Sequence, residues 1–311
     1  MSKVMTTAEA IKKHVNDGDF LFIGGYIARP PFAAIHEIIR QKKRELTITR
    51  SNAADDFDML IGAGCVKRFI STFISLGLYG LARCYRRSVE SGIPHKIELE
   101  EYTNLSLPMM LLAGATGMPF VPVKDMAGTG LMNVNSFMGE KKFKIIESPF
   151  DGSTVMLVPA LKPDVAIIHV QQADEEGNAQ MWGIGGDCKW GANASQKVIV
   201  SCERIVSREV VGKDPSRTIV PGFKVVAVTE EPFGAHPGYT PGFYDVDFGY
   251  GYDYQQASNT VEGFESFLNE WVFGVKDRAQ YTEYFIKKYG YEKFSSLMAP
   301  FDYSYPVSYS Y

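Results

Sequence analysis

The chain has 311 residues, is 45% hydrophobic and 22% charged, and carries a net charge of −4 from interspersed signs. That length holds one large α/β domain or two small ones with a sizeable core. The charge pattern excludes a nucleic-acid or lipid surface, since the one basic cluster, Lys42-Lys43-Arg44, reads as a helix end.

No apolar segment approaches the roughly 18 to 20 residues of a membrane span, and the opening stretch lacks a basic-then-apolar secretory pattern. A cytoplasmic location is the expectation. Cys65, Cys84, Cys188 and Cys202 lie far apart without metal-ligand spacing, so reduced, buried thiols are expected.

In chain order, Thr6 and Glu9 form a capping box that starts a helix running to about Asn16. "FLFI" at 20–23 has the length and flanks of a buried strand, and Gly24-Gly25 turns it into a helix begun by Pro30 and Pro31. "LTIT" at 46–49, a polar turn, a helical "MLIGAG" and the β-rich "VKRFISTFI" at 66–74 repeat the alternation. Further strands are expected at 119–123, 153–159, 164–170, 196–202 and 223–230, and helices at 79–91, 102–116, 203–210, 260–273 and 277–289. The expected fold is an α/β, open, doubly wound, mostly parallel sheet flanked by helices, with ligands outside the carboxyl ends of the strands. Two parts are expected, an α/β domain over 1–255 and C-terminal helices with a Tyr-rich tail over 256–311. The Gly-, Pro- and Tyr-dense stretch at 236–255 and the last eleven residues read as loops or arms with aromatic surface.

Most chemical constellations are absent: there is no GxSxG, GxxxxGK[ST], HExxH or GxGxxG. Gly24-Gly25 and the pair Gly128 and Gly130 in "MAGTGL" each follow a strand, where they either bring backbone N–H groups to a ligand or close a tight βα turn. Among five scattered histidines, His236 in "FGAHPG" is the best functional candidate, an accessible loop residue by its small neighbours, with a structural role competing.

"DGDFLFIGGY" at 17–26 resembles the glycine-rich signature of family I coenzyme A transferase α subunits, with Tyr26 in place of a phenylalanine and Pro30 in place of a later glycine. Segments at 46–70, 118–131, and 164–183 followed by 197–206 agree in order, and "MSKVMT", "FGAHP" and "EWVF" are similar to the glutaconate type. The resemblance implies a CoA-transferase/NagB-like fold and a two-chain enzyme. Its nucleophile would be a glutamate in the Ser-Glu-Asn-Gly motif of a separate β subunit; this chain lacks that motif. No permanently bound cofactor is implied; a coenzyme A thioester is a substrate, with a small organic acid as acceptor. The αβ pair is expected to assemble to α2β2 or larger.

The same resemblance assigns substrate contacts to Gly24, Gly25, Tyr26, Arg29, Ser75, Gly77 and Asn104; the residues themselves offer Gly128, Gly130 and His236 as further candidate contacts. Arg29 would pair with a carboxylate or a CoA phosphate. Gly77 stands where glutaconate transferases carry a serine, with Ser75 two residues away, which points toward a less polar acyl group. Asn104 stands where transferases carry glutamine and related ring-opening hydrolases carry glutamate. An amide orients but does not act as a base at neutral pH, which favours transfer. Same-fold hydrolases and decarboxylases, or a non-catalytic acyl-CoA-binding module, are the competing readings.

Overall fold

A computed structural model describes residues 2–133 and 136–299; the Tyr-rich tail at 301–311 lies outside the described residues. The chain begins with α1 (Thr7–His14), β1 (Phe20–Ile23), α2 (Phe32–Arg40), β2 (Leu46–Thr49), β3 (Asn52–Ala53) and α3 (Asp55–Gly62). It continues through β4 (Val66–Ser71), β5 (Phe73–Ile74), α4 (Arg83–Ser91), β6 (Glu98–Glu101), α5 (Ser106–Thr116), β7 (Phe120–Val123), β8 (Lys144–Glu147) and β9 (Thr154–Pro159). Then come β10 (Val165–Ala173), β11 (Ala179–Gln180), α6 (Cys188–Ala194), β12 (Lys197–Ile205), α7 (Arg208–Lys213), β13 (Thr218–Val220) and β14 (Val225–Glu230). Four helices close it: α8 (Phe248–Ala257), α9 (Val261–Leu268), α10 (Arg278–Tyr289) and α11 (Tyr291–Leu297).

Seven strands run parallel in the order β14-β12-β10-β1-β2-β4-β6. The chain therefore winds outward from β1 in one direction, then returns to the other side of β1 and winds outward again. Between β1 and β10 lies the point where strand order reverses, the usual ligand position of a doubly wound sheet. Period-two alternation separates two cores: Leu21, Ile23, Val165 and Ile167 face α1 to α3 and the C-terminal helices, while Phe22, Ala166 and Ile168 face α5 and α6. Both faces are covered, so the strands read as near-continuous apolar runs.

Several elements depart from the sequence expectation. The run at 66–74 is two strands, because Thr72 and Phe73 both donate to the Ser51 carbonyl and the chain leaves the sheet to pair β5 with β3. Residues 119–123 and 153–159 were expected in the parallel sheet; β7, β9 and β8 instead form a separate antiparallel sheet. The edge strand β6, "ELEE", carries too much charge to be legible as a strand, and it pairs with β4 alone. Residues 203–205 extend β12 where a helix was expected.

The largest correction concerns 236–255. Its last part is α8, capped by the Asp247 carboxylate on the Tyr250 N–H, and Tyr250 and Tyr254 are buried in the first core beside Phe264, Phe267, Trp271, Tyr281 and Phe285. The boundary expected at 255/256 falls inside this helix. All four cysteines are buried and unpaired.

Candidate functional site

The strand β1 delivers the chain to the switch point, where the Gly24 N–H still donates to the Ile167 carbonyl of β10 at 2.8 Å. A Cβ on Gly24 would lie 2.8 Å from Ile168 and 3.1 Å from the Cys188 sulfur. Gly25 has φ +89°, and its Cβ would meet the Arg29 backbone at 2.6 Å. What comes close to these two glycines is the protein itself. The turn folds tightly back on its own chain and on α6, and the Gly25 N–H donates to the Cys188 sulfur at 3.2 Å.

Beneath the turn, Arg50 at the end of β2 locks it in place. Its guanidinium makes a two-bond pair with Asp56 at 2.7 and 2.8 Å and donates to the carbonyls of Gly24 and Asn52. Both partners are buried, and Arg50 also lies 4.4 Å over the Phe57 ring. The first turn of α3 is thereby fixed against the end of β1.

Arg29 is not on the rim. It is 1% exposed and donates to the carbonyls of Trp182 and Ile184, and burial lowers its pKa. Its fork closes the turn on the segment after β11, so pairing with a substrate carboxylate is corrected to a structural role. Tyr26 and Pro30, on either side, do reach a cavity.

That cavity, of about 180 Å³, opens beyond the carboxyl ends of β1, β2 and β4. The turn after β1 gives Tyr26, Ile27 and Pro30; the start of α3 gives Ala54 and Asp55; the segment after β5 gives Ser75 to Tyr79. Pro237, Gly238, Val246, Phe248 and Gly251 close the remaining wall. The lining is apolar apart from Asp55, Ser75 and the two tyrosine hydroxyls.

Ser75 accepts from the Gly77 N–H at 3.0 Å and donates to the Gly80 carbonyl, which holds the tight turn whose Gly77 has φ +61°. Tyr79 packs edge-on against Tyr252 of α8 at 5.0 Å. A Cβ on Gly251 would lie 2.3 Å from the Tyr79 ring, so this glycine gives the ring its seat. Burial, with Asp55 and Asp247 nearby, pushes the Tyr79 hydroxyl up to about 12. Asp55 itself is half-buried, and desolvation and its neighbour Asp56 raise its carboxyl to about 7.

The structure thus brings Tyr26, Ser75 and Gly77 to one cavity. Asn104 lies elsewhere, exposed after β6, with its side-chain oxygen accepting from Thr72 at 2.6 Å. Gly128 and Gly130 follow β7, outside the central sheet, on an exposed segment with open space around them. His236 is corrected from accessible to fully buried. It bonds Tyr281 at 2.7 Å and Asp247 at 3.2 Å, stacks on Phe233, and burial lowers it to about 4. It stands one layer behind the wall formed by Pro237 and Gly238. Sequence reasoning missed Asp55, Leu76, Tyr79 and Phe248; only the aromatic density before 255 pointed in their direction. Among the described residues no group of acidic, histidine and cysteine side chains is placed to hold a metal ion, and no helix is long and apolar enough to cross a membrane.

A cavity at the carboxyl ends of β1, β2 and β4, beside a glycine turn on a doubly wound sheet, is the ligand-binding arrangement of an α/β protein. Residues 4–231 match the Coenzyme A transferase family, and the chain belongs to that family. It is 40% identical over 294 residues to the A subunit of glutaconate CoA-transferase from Acidaminococcus fermentans, covering 90% of this chain and 91% of that protein. It is 34% identical to the A subunit of 3-oxoadipate CoA-transferase from Pseudomonas knackmussii, covering 90% and 97%. The crystal structure of glutaconate coenzyme A-transferase from A. fermentans superimposes with a TM-score of 0.88 at 37% identity over 96% of each chain. Both relatives are named as one subunit of an enzyme with more than one.

Proposed function

We propose that this chain is the α subunit of a heteromeric acyl-CoA:carboxylate CoA-transferase, and that the cavity beside Gly24-Gly25 forms the acyl and carboxylate side of its site. The observation that carries the reading is the position of this cavity, at the carboxyl ends of β1, β2 and β4 in a chain of the CoA-transferase family. The other side is a β subunit bearing a Ser-Glu-Asn-Gly motif. Its glutamate attacks the acyl-CoA carbonyl, and the CoA thiolate leaves to give a mixed anhydride. The thiolate then attacks the glutamyl carbonyl, releasing the first carboxylate and leaving a glutamyl-CoA thioester. An incoming carboxylate reverses both steps and departs as the new acyl-CoA. Splitting the exchange this way makes each step an ordinary acyl transfer.

In this scheme the chain contributes shape. Tyr26, Ser75 and Gly77 bound the acyl group, while Gly24 and Gly25 let the turn fold tightly on its own chain and so hold Tyr26 at the cavity. The thioester is a substrate, and no resident cofactor takes part. The reading extends to αβ pairs that assemble to α2β2 or larger in the cytoplasm. The same fold serves hydrolase and decarboxylase subunits among the relatives.

The reading is tested by co-expressing the chain with its β subunit, then adding an acyl-CoA and treating with hydroxylamine or borohydride. A covalent adduct on the β-subunit glutamate, and no turnover by this chain alone, is the expected result. Turnover by the isolated chain, or no trapping on either chain, overturns it.

A further inference from the structure

Asp55 is the one ionisable carboxyl among the described residues on the wall of the cavity, and it is the group that the glycine turn and the sequence resemblance leave without a task. It occupies the first turn of α3, and its carboxylate accepts from the adjacent Asp56 N–H at 3.2 Å. Arg50 lowers the Asp55 carboxyl only in part and makes no hydrogen bond to it. Arg50 already spends its guanidinium on Asp56 and on the carbonyls of Gly24 and Asn52. Among the described residues lining the cavity there is no lysine, arginine or histidine.

Asp55 lines the cavity together with Tyr26, Ser75 and Tyr79, so an acyl group that fills this space lies beside its carboxyl. Leu76, Leu78, Val246 and Phe248 add apolar wall, and the only other polar side-chain atoms among the described lining residues are the hydroxyls of Ser75, Tyr26 and Tyr79, which carry no positive charge. We propose that Asp55 is the specificity-determining residue of this cavity, fitting it to acyl groups whose far end carries no negative charge. A second carboxylate entering here meets a like charge across an apolar space, an arrangement that costs several kcal/mol in an interface or pocket. An uncharged chain meets a mostly apolar surface and no like charge. The reacting carboxylate is not affected, since it faces the partner's glutamate.

The ionisation of Asp55 gives the inference a built-in control. The groups around it are Asp56 on its own helix, Arg50 at the end of β2, Tyr79 after β5 and Tyr254 on α8. Burial and the Asp56 charge raise its carboxyl to about 7, so it is largely neutral near pH 6 and charged near pH 8.5. Discrimination therefore weakens as the pH falls, across a range in which a substrate's own distal carboxylate stays ionised.

The ligand class rests on the transferase reading above, and the experiment separates the two. With the assembled two-subunit enzyme and acetate as acceptor, kcat/KM is measured for crotonyl-CoA and glutaconyl-CoA, which share a chain and differ by the distal carboxylate. At pH 8.5 crotonyl-CoA is expected to win by at least about tenfold. The ratio is expected to fall severalfold at pH 6. In Asp55→Asn the ratio at pH 8.5 should drop to the pH 6 value of the unsubstituted enzyme, and the pH step should vanish. Equal or better use of glutaconyl-CoA at pH 8.5, or an unchanged ratio in the folded variant, overturns the proposal. If Asp55→Asn does not fold, the pH step in the unsubstituted enzyme decides. If neither thioester is turned over, competitive binding of the two to the complex takes the place of kinetics, with equal affinities overturning the role of Asp55, while covalent trapping on the β subunit separately decides the transferase reading.

Discussion

Asp55 and Asp56 are neighbours in one helical turn, and the structure sends them to opposite environments. Asp56 points down into a buried clamp in which each carboxylate oxygen has a guanidinium partner. Asp55 points up to an apolar cavity with one long backbone contact. The clamp holds together the ends of β1, β2 and α3, the three pieces on which the cavity is built. Structural order and substrate choice are thereby assigned to adjacent residues of the same chemical type, and the contrast comes from direction alone. The lesson extends to Arg29 and His236, both of which resembled site residues in sequence and are held by carbonyls or side chains behind the wall.

The clamp can be broken outright. Arg50→Met leaves Asp56 buried without its cation, and loss of one partner of a buried pair costs about 3–5 kcal/mol. Chemical denaturation should give a lower midpoint with an unchanged m-value.

The layer behind the wall supplies the next effect. His236 is held neutral by burial, with its pKa lowered to about 4 from the ordinary 6.5. The unfolded chain therefore binds the extra proton first as pH falls. Stability from this group is complete above about pH 6.5 and is lost progressively toward pH 4, on the order of 3 kcal/mol at about 1.4 kcal/mol per unit. Thermal melts from pH 7.5 to 4.5 should record that slope, and a flat profile would contradict the buried, neutral imidazole.

Asp55 predicts a change of opposite sign. Its raised pKa means that native stability is greatest below the unfolded value near 4 and declines as pH rises through about 7. Asp55→Asn should thus stabilise the protein more at pH 8 than at pH 5. Melting temperatures at the two pH values test this, and equal shifts at both would sink it.

The smallest stability effect belongs to Gly251→Ala. The added methyl displaces the Tyr79 ring, the outer end of a side chain that is only partly buried, at a cost near 1 kcal/mol. Because that ring forms part of the cavity wall, KM should rise more than kcat falls. A variant with unchanged KM would remove Tyr79 from the site.

Much of the fold was legible because its signals are local. The Thr6-Glu9 capping box, the apolar runs at 20–23, 46–49, 164–170 and 196–202, and the glycine turn after β1 each depend on residues a few positions apart. The charged edge strand β6 and the aromatic helix α8 were not legible, because neighbours distant in sequence determine both. Glu98 to Glu101 become a strand by pairing with β4, and Tyr250 and Tyr254 are drawn inward by Phe264, Trp271 and Tyr281.

The site divides along the same line. By itself the sequence determined the parallel sheet, the turn at Gly24-Gly25 and the family resemblance, all of which follow from short-range pattern and ordered motifs. Only the tertiary structure decided that Tyr26, Asp55, Ser75 and Tyr79 share one cavity, and that Arg29 and His236 do not enter it. These positions come from separate loops, and which side chain faces the space and which is buried behind it depends on how the loops pack on one another at the carboxyl ends of the strands.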